Sequence, residues 1–298
     1  MKQKLIYIPA ILMFCTLQLQ AQQTPLYTQY MFNPVLYNPA VAGVESFFQI
    51  RSNHRFQWTG LADPPLTNAL SFYGPHSTLP MGYGGYIYND VTGPTCRTSV
   101  TGVYTYNIEL PSDMRLSMGL SFGFMQYKVD GTQITLKDPS DMALQNTVYS
   151  SYVPDANLGV YLYHNDFYAG FSTAQLINTK LKLYEPGTGL NKLKTHFFLT
   201  GGYRYDINTD FTLEPSAILK GTAPKAVQFD VNTRVTWQKM VWLGLSYRTG
   251  DAVSVLVGYS YEEKIYFGYS YDITLSDLRR HNTGTHEIMF GYRFNDIK

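Results

Sequence analysis

The chain has 298 residues, of which 15% are charged and another 15% aromatic, including 26 tyrosines. Soluble proteins usually carry about 25% charged residues. This low charge content and the net charge of +1 argue against a nucleic-acid partner, which would need a basic surface. The sequence has no apolar run of about 18 residues, so it contains no candidate membrane-spanning helix.

The first 21 residues have the order of a secretory signal peptide. Lys2 and Lys4 precede an apolar core from Leu5 to Leu17, and the segment ends at Ala21, a small residue suited to cleavage. We therefore expect residues 1–21 to be a signal peptide and the exported chain to begin at Gln22. Cys96 is then its one cysteine, so no internal disulfide is expected.

Residues 22–43 form a hydrophobic leader with an unusual composition. The stretch YTQYMFNPVLYNPAVAG, residues 27–43, is rich in aromatic side chains but contains Asn33-Pro34 and Asn38-Pro39. Proline lacks an amide N–H, and Asn-Pro favours a turn or extended chain, so neither a central strand nor a long helix is expected. We predict an irregular N-terminal leader on the periplasmic side, packed in the mouth or the lumen of the domain that follows.

From residue 44 to 298, apolar and polar side chains alternate. RLSMGLSFGF (115–124) and VSVLVGYSY (253–261) place apolar residues on one face and Gly or Ser on the other. Such segments of about ten residues, with aromatic residues near their ends, are typical of outer-membrane strands, although a soluble β fold also alternates. We predict an all-β transmembrane barrel of about 14 antiparallel strands. Its lumen would be lined by the polar face of AVQFDVNTRVTW, namely Gln228, Asp230, Asn232 and Arg234.

Fourteen segments show this alternation. They are residues 44–52, 67–75, 82–91, 97–108, 114–127, 153–163, 166–174, 195–206, 210–220, 225–237, 240–249, 252–261, 264–272 and 285–294. The long connections 128–152 and 175–194 are expected outside the cell, because outer-membrane barrels keep tight turns on the periplasmic side. Both mix charged and apolar side chains, which suits a protein interface. The candidate partner-binding residues there are Lys137, Leu144, Lys182 and Tyr184.

Three blocks in the first third of the chain carry a family resemblance. They are PLYTQYMFNPVLYNPAVAG (25–43), RFQWTGLADPPLT (55–67) and GGYIYNDVTGP (84–94). Together they resemble the PorP/SprF family of outer-membrane proteins, which belongs to the type IX secretion system of Bacteroidetes. The motif positions are Gln29, Tyr30, Asn33, Pro34, Asn38, Pro39, Gly43, Trp58, Gly60, Pro65, Asn89, Asp90, Gly93 and Pro94. Most of these also have a simple structural interpretation, since Trp58 suits an interfacial girdle and Gly93-Pro94 a turn.

The resemblance implies a component in the cell outer membrane that helps cargo proteins with a C-terminal sorting domain to reach or stay on the cell surface. Some family members pair with a large adhesin in gliding motility. The expected partners are that cargo, the periplasmic and outer-membrane components of the secretion system, and the lipid bilayer. No cofactor is implied.

Two other functions stay open at this point. The polar lumen would also suit a passive channel or a small-molecule transporter. A barrel hydrolase is the third reading, but the six histidines form no i,i+4 metal pair and no nucleophile motif is present. We therefore predict no catalytic residue, no metal and no enzymatic activity.

Overall fold

The computed structural model describes residues 24–134, 147–181, 193–222 and 226–297. The signal-peptide segment 1–21 and the candidate partner residues Lys137, Leu144, Lys182 and Tyr184 lie outside this part of the chain. The described strands are β1 (Phe48–Phe56), β2 (Leu66–Pro75), β3 (Met81–Thr92), β4 (Thr95–Glu109), β5 (Arg115–Asp130), β6 (Val148–Tyr163), β7 (Phe167–Ala174), β8 (His196–Tyr203), β9 (Tyr205–Asp206), β10 (Phe211–Thr222), β11 (Ala226–Trp237), β12 (Val241–Arg248), β13 (Ala252–Tyr261), β14 (Ile265–Thr274) and β15 (Thr285–Phe294).

These strands form one closed antiparallel sheet. Neighbours along the chain pair with each other, and β15 pairs with β1, which closes the ring. The short β9 extends the edge made by β8, because both pair with β10, so the described wall has 14 strand positions. The predicted fold class is confirmed. Closure gives each strand two partners, which a membrane requires because lipid offers the backbone no hydrogen bonds.

The alternating pattern divides each strand between lipid and lumen. On β12, Leu243 and Leu245 are 60% and 62% exposed, whereas the next residue, Ser246, is buried. The same holds on β13, where Val255 and Val257 point outward and Ser254 is buried. Successive side chains of a strand point to opposite faces, so an apolar outer band and a polar inner face follow from one repeat.

The two ends of the barrel differ. One end, here called the turn end, carries the start of β1, the end of β15 and the connections 110–114, 164–166, 238–240 and 262–264. The other, here called the loop end, carries the connections 57–65, 131–147, 175–195 and 275–284. Short turns are typical of the periplasmic side. We therefore assign the turn end to the periplasm.

Candidate functional site: a leader inside the barrel

The leader occupies the barrel lumen. Within Thr24–Gly43 the backbone makes three short 3-10 helices, Tyr30–Phe32, Pro34–Leu36 and Pro39–Gly43. From Tyr27 to Gly43 every residue is buried except Met31, Pro34 and Leu36, which are half-buried. The sequence predicted an irregular segment in the mouth or the lumen, and the structure places short helical turns in the lumen.

The two Asn-Pro pairs start turns and attach the leader to the wall. Asn38 caps the third 3-10 helix by accepting the Ala40 N–H at 2.9 Å, and its Nδ2 donates to the Val160 carbonyl at 3.0 Å. Pro39 follows at the first helical position, where its missing N–H costs nothing. Asn33 donates to Asn53 Oδ1 at 2.9 Å. Each asparagine therefore positions the leader against a particular strand.

Glycines on the inner face make room for the leader. A Cβ atom at Gly119 of β5 would collide with the backbone of Ala40. At other inner glycines a Cβ atom would collide with the backbone of Gly43 or with the side chains of Asn38 and Gln29. These glycines are Gly82, Gly159 and Gly268. The small inner face of the strands is therefore shaped to the leader, because a side chain at Gly82 or Gly119 would collide with the leader's backbone.

Serines on the inner face satisfy the leader's carbonyl groups. Ser117 Oγ donates to the Ala40 carbonyl at 2.6 Å, and Ser172 Oγ donates to the Tyr37 carbonyl at 2.7 Å. Short 3-10 turns leave carbonyls unpaired, and a buried unpaired carbonyl is destabilising. Serine donors from β5 and β7 thus replace the water that an exposed turn would bind.

The leader's tyrosines stay neutral. Burial raises the pKa of Tyr27, Tyr30 and Tyr37 above the usual value of a phenol. The Tyr37 hydroxyl accepts the Tyr27 N–H at 2.8 Å, and the Tyr30 hydroxyl lies 3.1 Å from Ser216 Oγ of β10. These uncharged hydroxyls hold the leader to itself and to the wall.

Six ionised side chains meet in the lumen beside the leader, and we call them the lumen charge cluster. Arg55 pairs with Asp272 at 2.8 Å and with Glu287 at 3.1 Å, and each side chain is at most 2% exposed. Three cations meet three anions in the buried cluster, and the less buried Asp251 adds a fourth carboxylate, 3.1 Å from Arg248. Buried charges require such partners. The members are Arg55, Lys220, Asp230, Arg248, Asp272 and Glu287.

Thr28 of the leader stands at the centre of this cluster. Its hydroxyl donates to Asp272 at 2.8 Å and accepts from Arg55 at 2.9 Å and Arg248 at 3.1 Å. Its backbone N–H donates to Glu287 Oε2 at 2.7 Å, and the next N–H, of Gln29, donates to Oε1 at 3.1 Å. One threonine thus joins the leader to β1, β12, β14 and β15.

The polar residues of β11 that the sequence assigned to the lumen occupy different surroundings. Asp230 belongs to the charge cluster, where it accepts from Lys220 at 2.8 Å and from Arg248 at 3.1 Å. Gln228 and Asn232 are buried. Arg234 pairs with Glu214, and its guanidinium lies 4.6 Å from the Phe32 ring centroid.

Sequence reasoning missed Thr28 and five members of the cluster. The missed charged residues occupy the inward phase of their strands in a chain that is otherwise poor in charge. They are Arg55, Lys220, Arg248, Asp272 and Glu287. A charge at such an inward-facing position needs a partner. The alternation of each strand could therefore have identified these residues as buried charges.

The structure joins the three sequence blocks in two places. Arg55, the first residue of the second block, contacts Thr28 of the first. Thr67, the last residue of the second block, donates to Asp90 of the third at 2.7 Å. The remaining motif residues of blocks two and three lie at the loop end. There Trp58, Gly60 and Pro65 belong to the 57–65 connection, Asn89 donates to Thr98 at 2.8 Å, and Gly93 and Pro94 form the β3–β4 turn.

A cavity of about 1050 Å³ lies at the turn end, between the leader and the barrel mouth. Tyr30, Phe32 and Tyr37 of the leader form part of its lining, together with residues near the periplasmic turns. Within the described ranges, no group of three or more His, Cys, Asp or Glu side chains could hold a metal ion. The arrangement offers surfaces for non-covalent binding.

Comparisons with known proteins agree with this architecture. A family model described as type IX secretion system membrane protein PorP/SprF matches residues 19–292. Comparison with curated protein sequences gave no match.

Several solved structures share the barrel fold. The Ralstonia pickettii toluene transporter TbuX has 10% identity and a TM-score of 0.52, over 88% of this chain and 93% of that one. The P. putida toluene transporter TodX has 7% identity and a TM-score of 0.52, over 87% and 93%. The Acinetobacter baumannii protein Omp33 has 10% identity and a TM-score of 0.50, over 85% and 100%. At these identities the likeness concerns the fold alone.

Proposed function

The chain belongs to the PorP/SprF family of type IX secretion system membrane proteins, and we propose that it assists the secretion or surface attachment of cargo proteins that carry a C-terminal sorting domain. The family and the barrel fold place it in the outer membrane. In this proposal the barrel works by recognising other proteins and catalyses no reaction. Its partners are the cargo, which is an adhesin in gliding cells, and periplasmic components of the same system.

The observation that carries this proposal is the leader in the lumen. Tyr30 bonds β10, Asn38 bonds β6, and Thr28 bonds β14, so the leader is attached on several sides of the wall. A segment held in this way obstructs diffusion through the barrel. It supports recognition of partners at the two mouths over passage of solutes through the centre.

A passive channel or small-molecule transporter is the second candidate. Two of the fold relatives are toluene transporters, and the cavity of about 1050 Å³ is large enough for a small ligand. A transporter would have to move or bypass a leader that is bonded to Glu287 and Asp272. We therefore rank this function second.

Deleting the gene tests the proposed function. We expect the deletion strain to lose from its surface one or a few proteins with a C-terminal sorting domain, measured by mass spectrometry of surface-shaved peptides. Outer-membrane proteins without that domain serve as the control set. An unchanged surface proteome would contradict the proposal.

A loop exchange tests where cargo is recognised. Segments 128–152 and 175–194 would be replaced by those of a second family member from the same cell. If Lys137, Leu144, Lys182 and Tyr184 belong to a recognition surface, the chimaera should secrete the second member's cargo while assembling normally. Retention of the original cargo would move recognition to the leader or the wall.

A further inference from the structure

Two arginines share one tyrosine ring at the turn end. The guanidinium carbons of Arg51 and Arg293 each lie 4.5 Å from the centroid of Tyr266. Arg293 also lies 4.2 Å from the centroid of Phe47. The three strands concerned, β1, β15 and β14, are neighbours in the sheet. Two like charges held this close repel each other, and contact with an aromatic face compensates only in part.

These arginines have donors without partners. Among the described residues, neither Arg51 nor Arg293 has a carboxylate within ion-pair distance, and Arg51 Nη1 and Arg293 Nε have no hydrogen-bond partner. Arg51 is only 3% exposed, and its Nε donates to Gln49 Oε1 at 3.0 Å, so Nη1 is the donor left without a partner. Seven carboxylates also line the cavity. Of these, Glu109 pairs with Arg115, Glu214 with Arg234 and Glu263 with Lys239, and Glu45 is exposed. Buried, unpartnered N–H groups are destabilising, so they point to a ligand.

A third unpartnered donor belongs to the same place. Trp242 is 3% exposed, its ring centroid lies 6.4 Å from that of Tyr266, and its Nε1 has no partner in the described structure. All four side chains lie within a few residues of the turn end and line the cavity there. We call Arg51, Trp242, Tyr266 and Arg293 the arginine–tyrosine site.

We propose that the arginine–tyrosine site binds a carboxylate of a peptide segment that enters the cavity from the periplasm. A guanidinium matches a carboxylate with two parallel N–H donors, and an aromatic ring fixes the plane of that fork. The indole N–H adds a third donor.

The surroundings favour a peptide as the source of the carboxylate. The cavity of about 1050 Å³ far exceeds one carboxylate and offers aromatic walls, including Phe32 and Tyr168. The site is on the inner face, so membrane lipid does not reach it. The inference rests on the proposed function, because it names the chemistry of one periplasmic partner.

Isothermal titration of the purified full-length barrel in detergent with an acetylated, amidated tetraglutamate peptide tests this inference. We expect binding to the wild type, none of the matching tetraglutamine peptide, and about tenfold weaker tetraglutamate binding to Arg293→Gln, which loses a charged hydrogen-bond donor. Arg115→Gln is the control, because Arg115 is an exposed cation of β5 in the same cavity. The affinity of Arg115→Gln for tetraglutamate should stay within about twofold of that of the wild type.

Arg293→Lys separates a loss of binding from a loss of folding. It keeps the positive charge at a half-buried position but removes the planar guanidinium. It should fold and still bind more weakly than the wild type. Equal binding by wild type and Arg293→Gln would overturn the inference, as would tight binding of inorganic phosphate with no binding of the peptide. If the peptide does not bind but gene deletion still removes cargo from the surface, this inference fails and the proposed function stands. If the peptide binds and secretion is unchanged, the proposed function fails.

Discussion

The Thr28 hydroxyl of the leader lies 2.8 Å from Asp272 of β14, across 244 residues of sequence. The segment that precedes the first strand is therefore bonded to the strands that close the barrel. The contacts of Thr28 need residues of β1, β12, β14 and β15 together. The position of the docked leader therefore depends on strands from both ends of the closed sheet.

Replacing Thr28 with valine should loosen the leader while the barrel persists. Valine keeps the shape of threonine but leaves Arg55, Arg248 and Asp272 without the hydroxyl that joins them. Each buried group left unpaired costs about 1–3 kcal/mol. We expect faster hydrogen exchange at the amides of residues 28–43, measured by mass spectrometry.

Thr132→Val is the matched control, because Thr132 is exposed and its hydroxyl donates to Asp130 near the loop end, far from the leader's contacts with the charge cluster. In this variant, the amides of residues 28–43 should exchange hydrogen at the wild-type rate. If Thr28→Val also left the leader's exchange unchanged, Thr28 would not hold the leader in place.

Enlarging an inner glycine should expel the leader. A side chain at Gly119 would occupy the position of the Ala40 backbone. We expect Gly119→Val to assemble in the outer membrane but to expose residues 24–43 to added protease. Gly102→Val is the control, because Gly102 is an exposed residue of β4 where an added Cβ would make only an ordinary 3.8 Å contact with the Phe122 carbonyl. Equal protection of the leader in both variants would show that it does not depend on the small inner face.

A charge on the outer band should prevent stable insertion. Val255 is 46% exposed in the apolar band of β13, and arginine near the bilayer midplane costs about 2–4 kcal/mol. Val255→Arg should therefore be depleted from outer-membrane fractions, and Val255→Leu should be present at wild-type levels. Normal assembly of the arginine variant would contradict the assignment of this face to lipid.

Removing the leader should separate assembly from function. A chain that lacks Gln22 to Pro39 keeps every strand of the sheet. We expect it to insert but to fail in secretion or in docking periplasmic partners, measured by cargo on the cell surface and by co-purification. Wild-type secretion by this strain would remove the leader from the mechanism.

The strands were readable from the sequence because lipid and lumen impose a two-residue repeat on each one. The last strand, Thr285–Phe294, has the predicted bounds. The first begins at Phe48 rather than at residue 44, because the Val44 N–H bonds to Val41 and completes the leader's last turn.

The charge cluster was less visible. The sequence indicates only that each member faces the lumen. Its partners lie on strands that are brought together when the barrel closes. Asp230, for instance, was assigned to the lumen, but nothing in its segment identifies Lys220 and Arg248 as the groups that neutralise it. The Asn-Pro pairs likewise predicted turns without fixing their place, which Asn53 and Val160 determine.

The ion conductance of single barrels in a planar lipid bilayer tests the central claim, that the leader closes the lumen. The full-length protein and the chain lacking Gln22 to Pro39 would be compared at the same salt concentration and voltage. We expect the full-length barrel to be closed and the shortened one to conduct steadily, since the inner face is polar. Equal, steady conductance through both proteins would contradict the account and favour a channel.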